Sequence, residues 1–425
     1  MYKKMLRHIG QNLFDLYRAS GDILKWSFLS LLVGAGVGFC VGTALNILET
    51  SINARDPILV GFLPFILALS GYLLHRFFKE ASADGTEEII RAAIYADKRL
   101  NLFRFLLKQS ATFATLFFGG SAGKEAPSAQ IGAYLSSLGA KIFNLSPKER
   151  IIIIVAGTSA GFAVVFGSPI AAGFFALEAL FAGRILYQVL VPSFIASFVA
   201  YWIMHILHVE FIYHPVAVGL IPSFWEIVNI SKTVVAGIFF GLIAYIVILA
   251  MNGANTMAMS QRIHPLLKGV LGGGIILLLA AFVGDRYLGL GLESIEAAFL
   301  DEVHFSWADP VLKTLFTFLT LGSGGSGGFV TPIFFIGATS GNFFAHLIDA
   351  KVSLFAALGF VSVLSGATNS PIASTILAAE LFGIEVAHFA AVTATISYLV
   401  SSKKSVFAPQ IIEVIEIKFK RHINS

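Results

Sequence analysis

The amino-acid sequence predicts an all-α polytopic membrane protein built from two copies of one structural unit. The chain of 425 residues is 56% hydrophobic and only 13% charged. Soluble domains carry about 25% charged residues, so the polar shell that a soluble core of this size needs is lacking. Residues 119–133, GGSAGKEAPSAQIGA, recur at residues 324–338 as GGSGGFVTPIFFIGA. Two copies of one unit in a very apolar chain are typical of membrane proteins built from repeats.

A second pair of matching segments supports the repeat. SPIAAGFFALE at residues 168–178 recurs as SPIASTILAAE at residues 370–380. The first pair is offset by 205 positions and the second pair by 202 positions. We expect an N-terminal segment, a first membrane repeat, a linker, a second membrane repeat and a basic tail, with the bounds 1–25, 26–210, 211–231, 232–405 and 406–425.

Apolar stretches along the chain predict the membrane helices. A helix needs about 20 apolar residues to span a bilayer, and only some of the stretches are that long. The shorter ones end at Gly, Ser or Pro, and such ends must lie inside the protein because lipid cannot satisfy free backbone groups. In chain order the stretches are 26–49, 58–78, 102–118, 126–143, 151–182, 188–208, 232–252, 265–283, 310–321, 329–348, 352–365, 371–384 and 386–400.

The charge distribution predicts the orientation of the chain in the membrane. The net charge is +4, and basic residues cluster before the first apolar stretch and after the last. Cytoplasmic segments are rich in Lys and Arg, so we expect both termini in the cytoplasm, at the inner (plasma) membrane of a bacterium or archaeon. No nucleic-acid-binding motif accompanies the basic clusters, so we expect no nucleic-acid partner. The single cysteine, Cys40, is expected to be a small buried hydrophobe.

The two Gly-rich stretches are predicted to interrupt helices and to bind an anion. A Gly-rich break before a helix directs successive backbone N–H groups into a cavity, and the helix dipole favours negative charge there. Close packing of helices through glycine is the competing explanation. The paired occurrence, the flanking serines and the matched prolines Pro127 and Pro332 favour an anion site.

The two copies differ at one informative place. The first copy has Lys124 and Glu125 where the second has Phe329 and Val330. An acidic residue within a membrane segment is costly and by default functional. A carboxylate can take the place of an anion on the N–H groups and leave when it is protonated or displaced. Stabilisation of a helix N-terminus by Glu125 alone is the competing explanation.

These motifs together resemble those of the CLC family of chloride channels and proton-coupled chloride antiporters. GKEAP at residues 123–127 is similar to the family's GREGP or GKEGP motif. GFVTP at residues 328–332 is similar to its GxFxP motif. The resemblance covers about residues 25 to 410, with the motifs in the family's order and spacing. Lys108, 17 residues before Glu125, matches a buried lysine that is common in the family.

The resemblance implies a fold of two inverted-topology halves with about 18 helices, several of them broken or partly spanning. It implies that Glu125 is the gating residue. It also implies a homodimer in the lipid bilayer with one pathway per subunit, chloride or a similar small anion as the ligand, and no cofactor. The residues whose backbone amides it implies as anion ligands are Gly123, Lys124, Ala126, Phe329 and Val330.

The sequence departs from the family at two anion ligands. The family's GSGIP motif carries a serine hydroxyl to the central anion, and the matching stretch here reads Asp84, Gly85 and Thr86. An ionised Asp84 would repel chloride, so either it turns away or is protonated, or Thr86 or backbone amides replace the serine. A tyrosine near the end of the last membrane helix is replaced by Phe407, which lacks the hydroxyl donor. Backbone amides are therefore expected to carry more of the binding.

A further departure concerns protons. SPIAAGFFALE at residues 168–178 resembles a helix of the family that begins at a proline. Antiporters of the family usually have two adjacent glutamates at the end of this helix, and the second takes up protons from the cytoplasm. Here the pair is Glu178 and Ala179. Glu380 repeats Glu178, which favours a structural hydrogen bond at a helix end. Channel branches of the family lack the second carboxylate, and so does a fluoride-transporting antiporter branch.

Together these observations predict transport of chloride or a similar small anion through a glutamate-gated pathway. Ala179 favours channel-like conduction without protons, and an anion/proton antiporter for chloride or fluoride is the alternative. We expect no enzyme activity. A remote alternative is an intramembrane serine hydrolase, because GTSAG at residues 157–161 fits the GxSxG pattern with Ser159 as the nucleophile. The apolar setting of that motif favours helix packing instead.

Overall fold

The computed structural model describes residues 2–77, 89, 101–180, 187–209, 226–401 and 404–407, with side chains from residue 24 onward. These residues form fifteen α-helices and a 3₁₀ helix over Pro57–Phe62. In chain order the α-helices are α1 (Tyr2–Asn53), α2 (Leu63–Phe77), α3 (Leu102–Phe117), α4 (Glu125–Ile142), α5 (Pro147–Phe166), α6 (Pro169–Leu180), α7 (Tyr187–Ile206), α8 (Ile227–Met259), α9 (Pro265–Val283), α10 (Leu292–Ala297), α11 (Ala308–Gly322), α12 (Val330–Leu347), α13 (Val352–Thr368), α14 (Pro371–Phe382) and α15 (Ile384–Val400).

The longer helices face a membrane. Large apolar side chains are exposed on their outer surfaces, as at Phe282 on α9 and Trp202 on α7. Such a surface is stable against hydrocarbon and not against water. Among the described residues, six segments are long and apolar enough to cross a bilayer, namely Leu24–Asn53, Pro57–Phe77, Pro147–Phe166, Tyr187–Ile206, Ile227–Met259 and Pro265–Val283. The chain is therefore an all-α polytopic membrane protein.

The core consists of short helices that pack through glycine in the same way in both halves. A Cβ atom on Gly132 of α4 would lie 2.0 Å from the carbonyl oxygen of Gly157 on α5. A Cβ atom on Gly337 of α12 would lie 2.4 Å from the carbonyl oxygen of Gly359 on α13. Each pair of backbones is thus too close for any larger residue. These contacts bring the helices that begin at the two Gly-rich breaks into equivalent positions.

The apolar stretch 151–182 contains two helices, because Gly167 adopts a left-handed conformation (φ 65°) after α5 and Pro169 then starts α6. One expectation from the sequence is wrong: Cys40 is exposed on α1 rather than buried. Burial is not needed for an apolar side chain whose solvent is lipid.

Candidate anion-binding site

The two Gly-rich breaks meet. Gly123 N–H donates to the carbonyl oxygen of Gly328 at 2.7 Å, and Gly328 N–H donates to that of Gly123 at 2.8 Å. This antiparallel bridge lies directly before the first residues of α4 and α12. The N-termini of one helix from each half therefore converge at one place, where their dipoles favour negative charge.

Each break starts at a glycine with a positive φ angle. Gly119 follows α3 with a φ of 90°, and Gly324 follows α11 with a φ of 115°. Only glycine adopts these conformations without strain. The matched pair explains why both copies of the repeat begin with glycine.

The serine of each break is held by threonines of the other half. The hydroxyl groups of Ser121 and Thr317 hydrogen-bond at 2.9 Å, and Ser121 N–H donates to Thr320 Oγ1 at 3.1 Å. The equivalent bonds in the other direction join Ser326, Thr112 and Thr115. All these side chains are buried. These serines therefore fix the breaks in place across the boundary between the halves.

A double-mutant cycle tests this cross-bonding. We expect Ser326→Ala to lower the free energy of unfolding by about 1–2 kcal/mol, because it leaves the buried Thr112 hydroxyl without this partner. Thr112→Val in the same chain should cost less than the sum of the single changes, since both partners are then apolar. Thermal unfolding in detergent measures the four stabilities. Strictly additive losses would contradict a direct bond.

Glu125 lies at the centre of this arrangement. Its carboxylate accepts a hydrogen bond from Thr331 N–H at 3.0 Å and from Thr331 Oγ1 at 2.5 Å. The side chain is fully buried. A negative group from α4 thus occupies the N-terminus of α12, where an anion would bind. Sequence reasoning missed Thr331, although its position beside Val330, the repeat counterpart of Glu125, was a usable signal.

Lys124 faces away from this contact towards α1. Its ammonium group lies 2.5 Å from a carboxylate oxygen of Glu49, and both side chains are largely buried. The ion pair offsets the positive charge of the lysine. Its backbone amide is the group that remains for an anion, as the family resemblance implies.

The other predicted ligands fall into four sets. Ala126 packs against Gly328 at the bridge, where a Cβ on that glycine would lie 3.1 Å from Ala126 N. Phe329 and Val330, each 1% exposed, form the cap and first residue of α12. Phe407 is buried, with its ring in an edge contact with Phe175 at 6.5 Å between centroids. The remaining predicted residues, Asp84, Gly85 and Thr86, lie outside the described residues.

Glu178 and Glu380 bind the N-termini of each other's helices. The Glu178 carboxylate on α6 accepts hydrogen bonds from Ile372 N–H at 3.3 Å and Ala373 N–H at 2.8 Å, in the first turn of α14. The groups that donate to Glu380 on α14 are the Ser168 hydroxyl and the N–H groups of Ile170 and Ala171. Ala179 beside Glu178 is buried and offers no proton acceptor.

A second buried lysine accompanies Lys108. Lys108 is 2% exposed, and Lys313, which lies 205 positions later, is fully buried. Lys313 Nζ donates to the carbonyl oxygens of Tyr287 at 3.1 Å and Gly289 at 2.9 Å. It also lies 5.1 Å from the ring centroid of Phe335, one turn into α12. Sequence reasoning missed Lys313, and the repeat offset would have found it.

The sequence model described as voltage gated chloride channel matches residues 66–402. The chain belongs to the CLC family. A chloride/fluoride channel protein of Pseudomonas syringae pv. tomato is 32% identical over 399 residues, which cover 91% of this chain and 86% of that relative. As a CLC protein, the chain transports anions across a membrane in which it is integrally embedded.

Two solved structures share this CLC fold. A CLC-type fluoride/proton antiporter aligns with a TM-score of 0.82 at 29% identity, covering 93% of this chain and 98% of the other. A slow cyanobacterial Cl⁻/H⁺ antiporter aligns with a TM-score of 0.74 at 20% identity, covering 94% and 99% of the two chains. The second likeness concerns the fold alone.

The hydrolase alternative is wrong. CLC proteins are channels and transporters, and Ser159 lies fully buried inside α5. Its hydroxyl donates to the carbonyl oxygen of Val155 at 3.0 Å, within the same helix. Gly157, the first residue of the motif, lies in the close contact between α4 and α5 described above.

A methyl group at Gly123 is expected to disturb the contact between Glu125 and Thr331. A Cβ there would lie 2.5 Å from Glu125 Oε2 and 3.0 Å from Thr331 N, so Gly123→Ala must displace the carboxylate. We expect anion leak through the protein to rise several-fold in vesicle efflux. Gly139→Ala on α4, with no atom within 4 Å of its new Cβ, is the matched control. Unchanged anion efflux through a folded Gly123→Ala protein would contradict the view that the contact between Glu125 and Thr331 blocks the pathway.

Proposed function

We propose that this protein exchanges fluoride for protons, with Glu125 as the residue that links the two ions. The observation that carries the proposal is the contact of the buried Glu125 carboxylate with Thr331 N–H and Oγ1. An anion that takes these donors must displace the carboxylate. The displaced group can then take up a proton, and it returns as a neutral acid when the anion has left. One side chain can couple both ions in this way without an acid at Ala179.

The choice of fluoride rests on the donors and on the relatives. Fluoride is a small anion that accepts strong hydrogen bonds, and the N–H and O–H groups of Thr331 are such donors. The relative at 32% identity and the structure at 29% identity both carry fluoride in their names. Phe407 in place of a hydroxyl ligand also favours an anion other than chloride.

A channel for the same anions is the second candidate. Ala179 supports it, because the position next to Glu178 lacks the acid that takes up protons in usual antiporters of the family. The relative from Pseudomonas syringae is also named a channel protein. In this case Glu125 would open and close the pathway without carrying protons.

Purified protein in lipid vesicles distinguishes the two candidates. Vesicles receive an outward fluoride gradient, and a fluoride electrode and a pH indicator follow both ions. Antiport predicts that fluoride efflux drives protons inward against a proton gradient. Fluoride efflux that leaves the proton gradient unchanged would favour the channel. A chloride gradient in place of fluoride measures selectivity, and equal rates would contradict the fluoride assignment.

We further propose a homodimer in the plasma membrane of a bacterium or archaeon, with both termini in the cytoplasm. The resemblance to CLC proteins supports the dimer, and the basic residues at both ends support the orientation. Light scattering of the detergent-solubilised protein is expected to give the mass of two chains. The mass of a single chain, measured on purified protein that still transports anions in vesicles, would contradict the dimer.

A further inference from the structure

A cavity of about 520 Å³ opens between α1, α3 and α4, beside the gate. Its walls include Cys40 and Leu48 of α1, Phe113 of α3 and Ile131 of α4. Cys40 and Phe113 are exposed, so the cavity opens towards the outer surface. Cys40 lies near the middle of the candidate span Leu24–Asn53, which places the cavity at the depth of the bilayer hydrocarbon.

The amide of Gln109 and the ammonium group of Lys124 in the cavity wall already have partners. Gln109 Nε2 donates to the carbonyl oxygen of Pro127 and to Gln130 Oε1, each at 3.2 Å. Lys124 is paired with Glu49. The rest of the wall is mostly apolar, so a polar ligand would lose its hydration and gain few new partners. The chemistry of the cavity therefore fits hydrocarbon.

We propose that the cavity binds one acyl chain of a bilayer phospholipid. An apolar space at this depth that stayed empty would forfeit dispersion contacts along its walls, and hydrocarbon is present next to its opening. Its volume lies in the range of about 300–1,000 Å³ that is usual for specific ligand sites. The bilayer supplies acyl chains at high concentration, so even weak intrinsic affinity fills the site.

The bound chain packs against the helix turn that carries the gate. Lys124, Pro127 and Ser128 line the cavity, and they flank Glu125 in the first turn of α4. An acyl chain in the cavity therefore supports this turn from the side that faces α1 and α3. Occupancy of the cavity thus stabilises the position from which Glu125 reaches α12. This link to transport rests on the proposed function, whereas the binding of the chain does not.

Adjacent residues of α1 provide a matched test of binding. Cys40→Trp fills the cavity, whereas Phe39→Trp puts the same ring on an exposed position outside the cavity wall. Ser110→Phe fills the cavity from α3 and covers the case in which Cys40→Trp fails to fold. Native mass spectrometry of the full-length protein after stepwise delipidation counts retained phospholipids. We expect the natural protein and Phe39→Trp to retain one phospholipid per chain that both filled variants lose. Equal retention in all four proteins would overturn the site.

Fluoride efflux from vesicles tests the link to the gate. We expect the Cys40→Trp rate to differ at least about threefold from the Phe39→Trp rate, because the indole cannot leave the cavity as a lipid chain can. Equal rates together with lost phospholipid would overturn the link and leave the binding site standing. Failure of the natural protein to move protons against their gradient would overturn the proposed function and not the lipid site.

Discussion

Glu125→Gln is expected to abolish uphill proton movement driven by fluoride. The amide keeps the size of the side chain and can still hydrogen-bond to Thr331, but it cannot release and take up a proton. Proton uptake by vesicles under a fluoride gradient should fall to the level of protein-free vesicles. Thermal unfolding should change little, since removing the negative charge also removes the cost of burying it.

The control for this experiment is another acid in the first turn of a helix. Glu385 lies in the first turn of α15 and is exposed, so Glu385→Gln should leave proton uptake at the natural rate. Proton uptake that persists in Glu125→Gln would show that another group carries the protons. Loss of proton uptake in both Glu125→Gln and Glu385→Gln would show that removing any acid from the first turn of a helix has this effect.

Glu380→Ala is expected to cause the largest loss of stability. The carboxylate accepts three hydrogen bonds from the N-terminus of α6, at Ser168, Ile170 and Ala171. At about 1 kcal/mol net for each bond, the free energy of unfolding should fall by about 3 kcal/mol. Thermal unfolding in detergent measures the loss. Glu178→Ala, which removes two such bonds, should cost about 2 kcal/mol.

The order of these two losses is the informative result. The reciprocal contacts join α6 and α14, and these helices come from opposite halves of the chain. If the loss of unfolding free energy follows the number of hydrogen bonds removed, each glutamate stabilises the N-terminus of its partner helix independently of the other. A Glu178→Ala protein that is less stable than Glu380→Ala would contradict this account and indicate a further role for Glu178.

The repeat made much of the site predictable from sequence. The matched breaks at residues 119–133 and 324–338 indicated two helix N-termini, and these termini meet at the bridge of Gly123 with Gly328. The difference between the copies singled out Glu125. The position of Lys313 was also available, since it follows Lys108 at the same offset. Residues of the repeat are predictable because symmetry relates their surroundings.

Contacts between the halves were not predictable from one sequence. Thr331 has no counterpart of its own type in the first copy, and its bond to Glu125 depends on how the two helices approach. The serines of the two Gly-rich breaks supported an anion site in the sequence analysis. In the structure their hydroxyl groups hydrogen-bond to Thr112 and Thr317 of the other half instead. Such pairs lie about 200 residues apart in the chain, and local patterns carry no information about them.

The reversal potential of the reconstituted protein tests coupling at Glu125 most directly. Vesicles carry set gradients of fluoride and of protons, and an ionophore fixes the membrane voltage at a series of values. The account predicts that the voltage at which fluoride flux reverses shifts with the pH gradient as well as with the fluoride gradient, and that Glu125→Gln removes the dependence on pH. A reversal voltage in the natural protein that follows the fluoride gradient alone would contradict proton exchange.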